Sequence, residues 1–385
     1  MNEIYLDNNA TTPVLPAVWE AMRPFLVETF GNPASAHWAG RRARQALEDA
    51  REQTAALLGA YPDEVIFTSG ATEANNLAIF GLAGEPSASV ITSPIEHPSV
   101  TEPIEQLARR GFHVSRLPVN AQGIVCADAL AGLIQPQTRM VSVMLANNET
   151  GALQPVQKLG EILADRAAFH CDAAQAVGRM PVHFQDLGVT ALSLSAHKFH
   201  GPQGAGALLL RRHTKLSPQL YGGHQQQGRR PGTEPAAFAV GLATALNLAT
   251  REMEDRRQKV LHLRRLFLER LHGLADPVVL NGPPEEGMPH TLNLSFPGCK
   301  ADALLMNLDL VGVACSTGSA CSSGSLLPSP VLQAMAVPKE LLHSAMRFSL
   351  SPLLSECDVE EAARRIAGVV RRLRELQMDN WHSAD

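Results

Sequence analysis

Between Glu64 and Arg212 the sequence alternates short apolar runs with segments of helical period, and no other feature limits the possible folds so tightly. "EVIFTSG" reads as a strand that ends in a turn. "SVIT", "HVSRLPV", "TRMVSVMLA", "AFHCDA", "ALSLSA" and "GALLLRR" read as further strands, with helices between many of them. Unbroken apolar strands such as "VSVML" suit a sheet covered on both faces. The rhythm therefore predicts an α/β domain built on a large, mostly parallel sheet. Upstream, "WAGRRARQALEDAREQTAALLG" spaces Ala43, Leu47, Ala50, Thr54 and Leu57 on one helix face, and Gly59 stops it.

Beyond Pro235 one long helix is expected to about Leu271, ended by the Pro- and Gly-rich "ADPVVLNGPPEEGMPH". The remainder, from "TLNLSF" through "AMRFSLS" to a final helix near Glu356, reads as a smaller α+β domain. The predicted division is a large domain over 14–255 and a small domain of 1–13 and 256–385, with a loop at about 315–328.

The chain has 385 residues, a formal net charge of −5 and no long basic run, which argues against nucleic acid or a membrane surface as partner. No apolar stretch reaches the ~18 residues of a membrane span. "MNEIYLDNNATTP" lacks the pattern of a secretory signal, so a cytoplasmic location is expected. The six cysteines form no CxxC pair, so a zinc ribbon is not expected and the thiols are taken as free.

Four segments at predicted strand ends carry chemistry, and strand ends are where open α/β sheets bind ligands. In "FTSGATEANN" a helix start at Ala71, with the Thr72 hydroxyl, would hold a phosphate; a Gly turn with a Thr cap accounts for the same residues. In "IEHPSV" His97 follows a strand. In "FHCDAAQAVG" Asp172 is costly to bury unless a cation meets it, and a protonated ring nitrogen qualifies; capping the next helix is the alternative. In "SLSAHKFHGPQGAG" Ser195, His197 and Lys198 follow a strand. A desolvated lysine is a nucleophilic amine, while a strand-end surface lysine needs no such company. Together they supply what pyridoxal 5'-phosphate requires: a phosphate cradle, a pyridinium partner, a ring-facing group and a Schiff-base lysine.

The chain resembles the cysteine desulfurases of the NifS/IscS type, fold-type I pyridoxal-phosphate enzymes of the class V aminotransferase family. The likeness runs through "YLDNNATTP", "GNPASAHWAG", "FTSGATEANN", "EHPSV", "NNETG", "HCDAAQAVG", "SAHKFHGPQG", "GGHQQQGRRPGTE", "STGSACSSGS" and "RFSLS", in that order. It implies that Lys198 carries the cofactor, His97 stacks on its ring and Asp172 pairs with the ring nitrogen. Gln175 and Asn148 would contact the hydroxyl side. Ala71, Thr72, Ser195 and His197 would hold the phosphate, with Thr233 reaching the phosphate of the other subunit of a homodimer. Arg347 would bind the carboxylate of L-cysteine, and Cys321 would accept its sulfur as a persulfide, leaving alanine. The resemblance further implies delivery of that sulfur to an iron–sulfur scaffold protein. No resident metal is implied, beyond transient ligation of a cluster by Cys321.

"SAHKFHGP" and "GGHQQQGRRPGTE" look closer to the NifS branch and its nitrogenase clusters. Leu327, Gln203 and Pro352 depart from the family pattern, none at an implied catalytic position. Gly, Ser and Ala around Cys321 cannot pack a core, so its thiol is expected to be exposed, whereas Cys315 is expected to be partly packed. Cys126, Cys171, Cys299 and Cys357 read as ordinary thiols, and His200 as structural. Two other readings use the same residues: a selenocysteine lyase or other fold-type I enzyme, and a non-catalytic sulfur carrier using Cys321 alone.

Overall fold

A computed structural model of the chain describes residues 2–318 and 328–382, with the side chains of the last helix described to residue 376. Strand β1 (Ile4–Tyr5) precedes helices α1 (Pro16–Val27) and α2 (Trp38–Leu57). Helix α2 buries Ala43, Leu47, Ala50 and Thr54 on one stripe, and Gly59, at φ +61°, turns the chain out of it. The alternation read in the sequence then follows: β2 (Val65–Thr68), α3 (Ala71–Leu82), β3 (Ser89–Thr92), α4 (Pro98–Arg109), β4 (His113–Arg116), α5 (Leu130–Leu133), β5 (Thr138–Ser142), α6 (Val156–Leu163), β6 (Ala168–Asp172), β7 (Ala191–Ser195) and β8 (Gly206–Leu210).

Strands β2 to β8 form one sheet in the order β2-β8-β7-β6-β5-β3-β4. All run parallel except β8, which is antiparallel to both β2 and β7. Its central strands are buried on both faces, as their unbroken apolar character requires. The carboxyl ends of β2, β3, β5, β6 and β7 therefore open on the same edge of the sheet.

The chain continues with α7 (Ala236–Arg251), α8 (Met253–Ala275), β9 (Val279–Asn281), β10 (Thr291–Ser295), α9 (Ala301–Leu310), β11 (Val313–Ala314), α10 (Pro330–Ala334), α11 (Lys339–Leu342), β12 (Ala345–Ser349) and α12 (Glu356–His382). The single helix expected after Pro235 is two helices that meet at Glu252, whose φ of −103° and ψ of 11° leave the helical range. They separate because their neighbours differ: α7 packs on α1 and α2, whereas α8 packs on α12. Strands β9, β10 and β12 form a small antiparallel sheet, and β1 pairs in parallel with β11.

Two large apolar cores result. One surrounds the central sheet and also takes in Met288, Val331, Leu332 and Met335. The other joins Ile4 and Leu6 to Phe267, Phe296, Phe348 and Val370, with Phe348 meeting Phe267 edge-on at a ring separation of 5.5 Å. The N-terminal segment thus belongs to the second core, although the first core begins only a dozen residues later.

Candidate active site

A cavity of about 460 Å³ lies at the carboxyl edge of the central sheet, large enough for a cofactor-sized ligand. The strands place its walls. After β2 the chain turns at Gly70, φ +153°, and α3 begins at Ala71. This turn is tightly enclosed: a Cβ on Gly206 would lie 2.5 Å from Gly70 Cα, and one on Gly70 would lie 3.5 Å from Ser195 Oγ. Glycine at both positions lets the start of α3 close against the end of β7. Glu73 accepts the Ser69 N–H at 2.7 Å and is itself paired with Arg230 at 2.7 Å, so the "GRRPGT" segment reaches the same wall.

After β3, His97 caps α4. Its Nδ1 accepts from Ser99 N at 3.1 Å and lies 2.7 Å from Ser99 Oγ, which orients the ring along the cavity. Burial lowers the His97 pKa; Asp172 counters this, while Lys198 and Arg347 add to it. The ring is therefore neutral near pH 7. At the end of β6 Asp172 is buried and accepts two N–H donors, one from a turn rather than a helix and one from a neutral amide. Oδ1 accepts from Ala174 N at 2.9 Å, and Oδ2 accepts from Asn75 Nδ2 at 2.8 Å.

Strand β7 delivers Ser195 and then a tight turn, Ala196–Lys198. Lys198 Nζ donates to Asn9 O at 2.6 Å and Ala10 O at 3.0 Å. The His197 pKa is pulled down to about 4 by burial first, then by Lys198 and Arg179. Its Nδ1 lies 3.2 Å from Thr11 Oγ1. Gln175 donates through Nε2 to Asn9 O at 3.0 Å. Ala71, Thr72, His97, Asn148, Asp172, Gln175, Ser195, His197 and Lys198 all line the one cavity.

Two candidates stand apart from it, and a third lies outside the described residues. Thr233 is exposed and lies outside its lining. Arg347, on β12, is buried behind Asn148: Nη1 donates to Asn148 O at 3.2 Å and Nη2 to Asp7 Oδ1 at 2.7 Å. Its Nε is buried with no partner among the described residues. Cys321 lies outside the described residues, as does Leu327. The flanking residues are described: Gly318 packs so close to Glu149 that a Cβ there would lie 2.8 Å from Glu149 Oε2, the same oxygen that accepts from Ser329 Oγ. One buried carboxyl group thus contacts the chain on both sides of the cysteine segment.

Burial drives the Cys315 thiol up to about 12, which makes it a poor nucleophile where it stands. Cys171 and Cys299 are buried, and Cys126 and Cys357 are exposed. His200 is buried, with Nδ1 3.0 Å from Pro13 O. Among the described residues no group of three or more His, Cys, Asp or Glu is arranged to hold a metal.

Sequence reasoning assigned nothing to Asn9, Asn75, Glu96 or Arg179. Asn9 stands in the quoted "DNNATTP", and Asn75 in "EANN", one helical turn after the strand-end turn; both patterns signal a site without naming a partner. Glu96 stands inside the quoted "EHPSV" and Arg179 directly after "HCDAAQAVG", and neither gives a signal of its own.

The donor set fits pyridoxal 5'-phosphate. Ser195, Thr72 and the glycine-cradled start of α3, a carboxylate held by two N–H donors and an amine all line one cavity.

Known proteins share this sequence pattern and this fold. The aminotransferase class-V family matches residues 4–361. The chain belongs to that family, and its cofactor is pyridoxal 5'-phosphate. It is 44% identical over 378 residues to the cysteine desulfurase IscS of Dictyoglomus turgidum, covering 97% of this chain and 96% of the relative. It superposes on a solved NifS-like protein with a TM-score of 0.91 at 35% identity, covering 96% of this chain and 100% of the other. A structure described as SspA in complex with cysteine matches with a TM-score of 0.81 at 33% identity, over 91% and 99% of the two chains. Likeness of this extent puts the chain in the cysteine desulfurase group of its family.

Proposed function

We propose that the cavity desulfurates L-cysteine to L-alanine, with Cys321 receiving the sulfur, and that the product persulfide supplies iron–sulfur cluster assembly. The observation that carries this reading is the convergence of the Lys198 amine, the His97 ring and the Asp172 carboxylate in one cavity at the sheet edge. A bound pyridoxal phosphate supplies an electron-accepting ring and a carbonyl carbon for the amine of Lys198 or of the substrate.

The chain's own groups then have distinct tasks. Asp172, fixed by Ala174 N and Asn75 Nδ2, is the anion that keeps a ring nitrogen protonated. Ser195, His197, Thr72 and the Ala71 N–H hold the phosphate; His197, neutral, offers a hydrogen bond rather than a charge. Asn148 and Gln175, which line the same cavity, contact the ring's hydroxyl side. Lys198 moves the proton at the substrate's Cα, and neutral His97 accepts or returns one. Arg347 takes the substrate carboxylate in exchange for Asp7. In the net reaction the substrate's Cβ–S bond breaks, a Cβ–H bond forms, and the released sulfur bonds to Cys321 Sγ. No external oxidant is needed.

The same reading gives a homodimer, with Thr233 serving the partner's phosphate site. Trp19, Val27, Phe30 and Trp38 leave a run of large apolar side chains exposed near the first two helices, and a second copy would cover them. It also gives the two-domain division, 14–255 against 1–13 with 256–385, to which the second apolar core lends support through Ile4 and Leu6. A scaffold protein is the proposed acceptor and the cytoplasm the proposed location; no helix among the described residues is long and apolar enough to cross a membrane. Relatives carry both IscS and NifS-like names, so a tie to nitrogenase clusters rests on the two motifs alone.

The test is one assay on three proteins. Wild type should be yellow and release alanine and sulfide from L-cysteine with a thiol reductant. Cys321→Ala should stay yellow and make neither product. Lys198→Ala should lose the wild-type visible band. A Cys321→Ala protein that desulfurates cysteine at the normal rate would overturn the reading.

A further inference from the structure

The amine of Lys198 is held by two backbone carbonyls, those of Asn9 and Ala10. A backbone turn presents those oxygens usefully only if something fixes the turn. Arg179 lies beneath it and spans the surroundings with one planar group. Nε donates to Lys198 O at 3.1 Å, Nη2 to Asn8 O at 2.9 Å, and Nη1 to Asn9 Oδ1 and Gln175 Oε1, each at 2.9 Å. Nη1 also faces His290 Nε2. Burial lowers the proton affinity of both Arg179 and His290, which leaves His290 neutral and able to accept. Arginine stays charged, and its acceptors surround it. Gln175 in turn donates back to Asn9 O, the oxygen that holds the lysine amine.

We propose that Arg179 is the positioning residue for Lys198: it grips the lysine's own carbonyl and the Asn8–Asn9 turn that carries the amine's acceptors, and so sets where the reactive nitrogen stands. Only a guanidinium can do this. Its donors point in fixed, separate directions, whereas a lysine amine at the same place concentrates three donors at one point. The inference rests on the reading of Lys198 as the cofactor lysine, but its first test does not require the cofactor.

The experiment compares wild type with Arg179→Lys, which keeps the charge and loses the fork. The full-length, cofactor-free chains are treated with an amine-reactive ester, and labelling of each lysine is followed by peptide mass spectrometry. Exposed Lys300 serves as the internal reference. With the turn loosened, the Lys198 amine loses its acceptors and should react about threefold faster or more, with Lys300 unchanged. In the loaded enzymes, kcat for alanine should fall about tenfold or more while KM for cysteine moves much less, because a displaced group costs rate before binding. Lys198 labelling and kcat both at wild-type values would overturn the proposal, as would an equal change at every lysine. Asn9→Ala removes the side-chain oxygen by which Arg179 holds the turn, and decides the matter if Arg179→Lys does not fold. Faster Lys198 labelling there supports the proposal, and unchanged labelling overturns it. If Lys198→Ala keeps the visible band, the reading of Lys198 itself has failed, separately from any result on Arg179.

Discussion

Glu96 is a carboxylic acid in an apolar interior. Oε1 accepts from Met144 N at 3.1 Å and from Ser93 Oγ, while Oε2 is buried with no partner among the described residues. Burial, with Asp172 nearby, raises its pKa to about 8. The folded state therefore binds a proton that the unfolded chain gives up at ordinary carboxylate pH. Stability associated with that proton is present below about 4.5 and is lost as pH rises toward about 8. Glu96→Gln keeps the shape without the ionisation. Urea midpoints should show it matching wild type near pH 5 and exceeding it near pH 9 by roughly 1–4 kcal/mol. Equal midpoints at both values would mean that Glu96 is ionised and solvated at neutral pH. This residue lay beside His97 in a quoted motif and went unread. A glutamate before a strand-end histidine looks like solvent-facing polarity, and only the fold reveals that β3 turns it inward.

At the scale of elements, the decisive contact is where α3 starts against β7 and β8. Gly206 begins β8 with its Cα beside Gly70, and a side chain at 206 would force the two backbones apart. Gly206→Ala should therefore move the start of α3 away from Ser195. Cofactor affinity should fall about tenfold or more, read by equilibrium dialysis, since the proposed phosphate donors of the two elements must converge. Unchanged affinity would show that the cradle tolerates the shift. Asn75 makes a second tie of this kind: its Nδ2 bonds both Ser99 Oγ and Asp172 Oδ2 at 2.8 Å, joining α3, α4 and β6. Asn75→Ala should cost about 1–3 kcal/mol in urea unfolding, because it leaves a buried carboxylate short of a donor.

Most of the central elements were legible because apolar runs of strand length, punctuated by Gly and Pro, admit few other foldings. Strand direction was not: nothing in "GALLLRR" announces that β8 runs against its neighbours. The break at Glu252 was hidden too, since both flanking segments have helical composition and the division comes from what they pack on. At the site, the motif-bearing residues Lys198, Asp172 and His97 could be picked out, whereas Arg179 and Asn75 could not. Their importance lies in which atoms they hold, and those atoms come from distant parts of the chain.

At the scale of the whole molecule, acid should be the weak side. His170 is fully buried between Ser142 Oγ at 2.9 Å and Ser193 Oγ at 3.0 Å, and burial depresses its pKa to about 4. The unfolded chain takes up that proton first. Stability is thus full above about 6.5 and is lost as pH falls toward about 4. His200 is shifted the same way for the same first cause, and His290 further, so the losses accumulate. Urea midpoints should drop steeply between pH 6.5 and 4.5. His170→Gln, which can still bond both serines, should flatten the drop by roughly 1–3 kcal/mol. An identical slope in the variant would locate the acid sensitivity elsewhere.

The threading of the first ten residues has a consequence for how the protein is made. Ile4–Tyr5 pair with Val313–Ala314, Asn8 Nδ2 donates to Ser349 O, and Asn9 O then receives the amine of Lys198. This segment is synthesised before the central sheet but is completed late, because strand β12 must be present before Asn8 Nδ2 can reach Ser349 O. Closing a loop of that length costs entropy that only the finished second core returns. Nascent chains stopped before β12 would carry the central sheet and the Asn9 and Ala10 carbonyls but lack the Ser349 contact that fixes the segment bearing them. The seat of the Lys198 amine is therefore finished by a strand that lies about 150 residues further along the chain than the lysine itself.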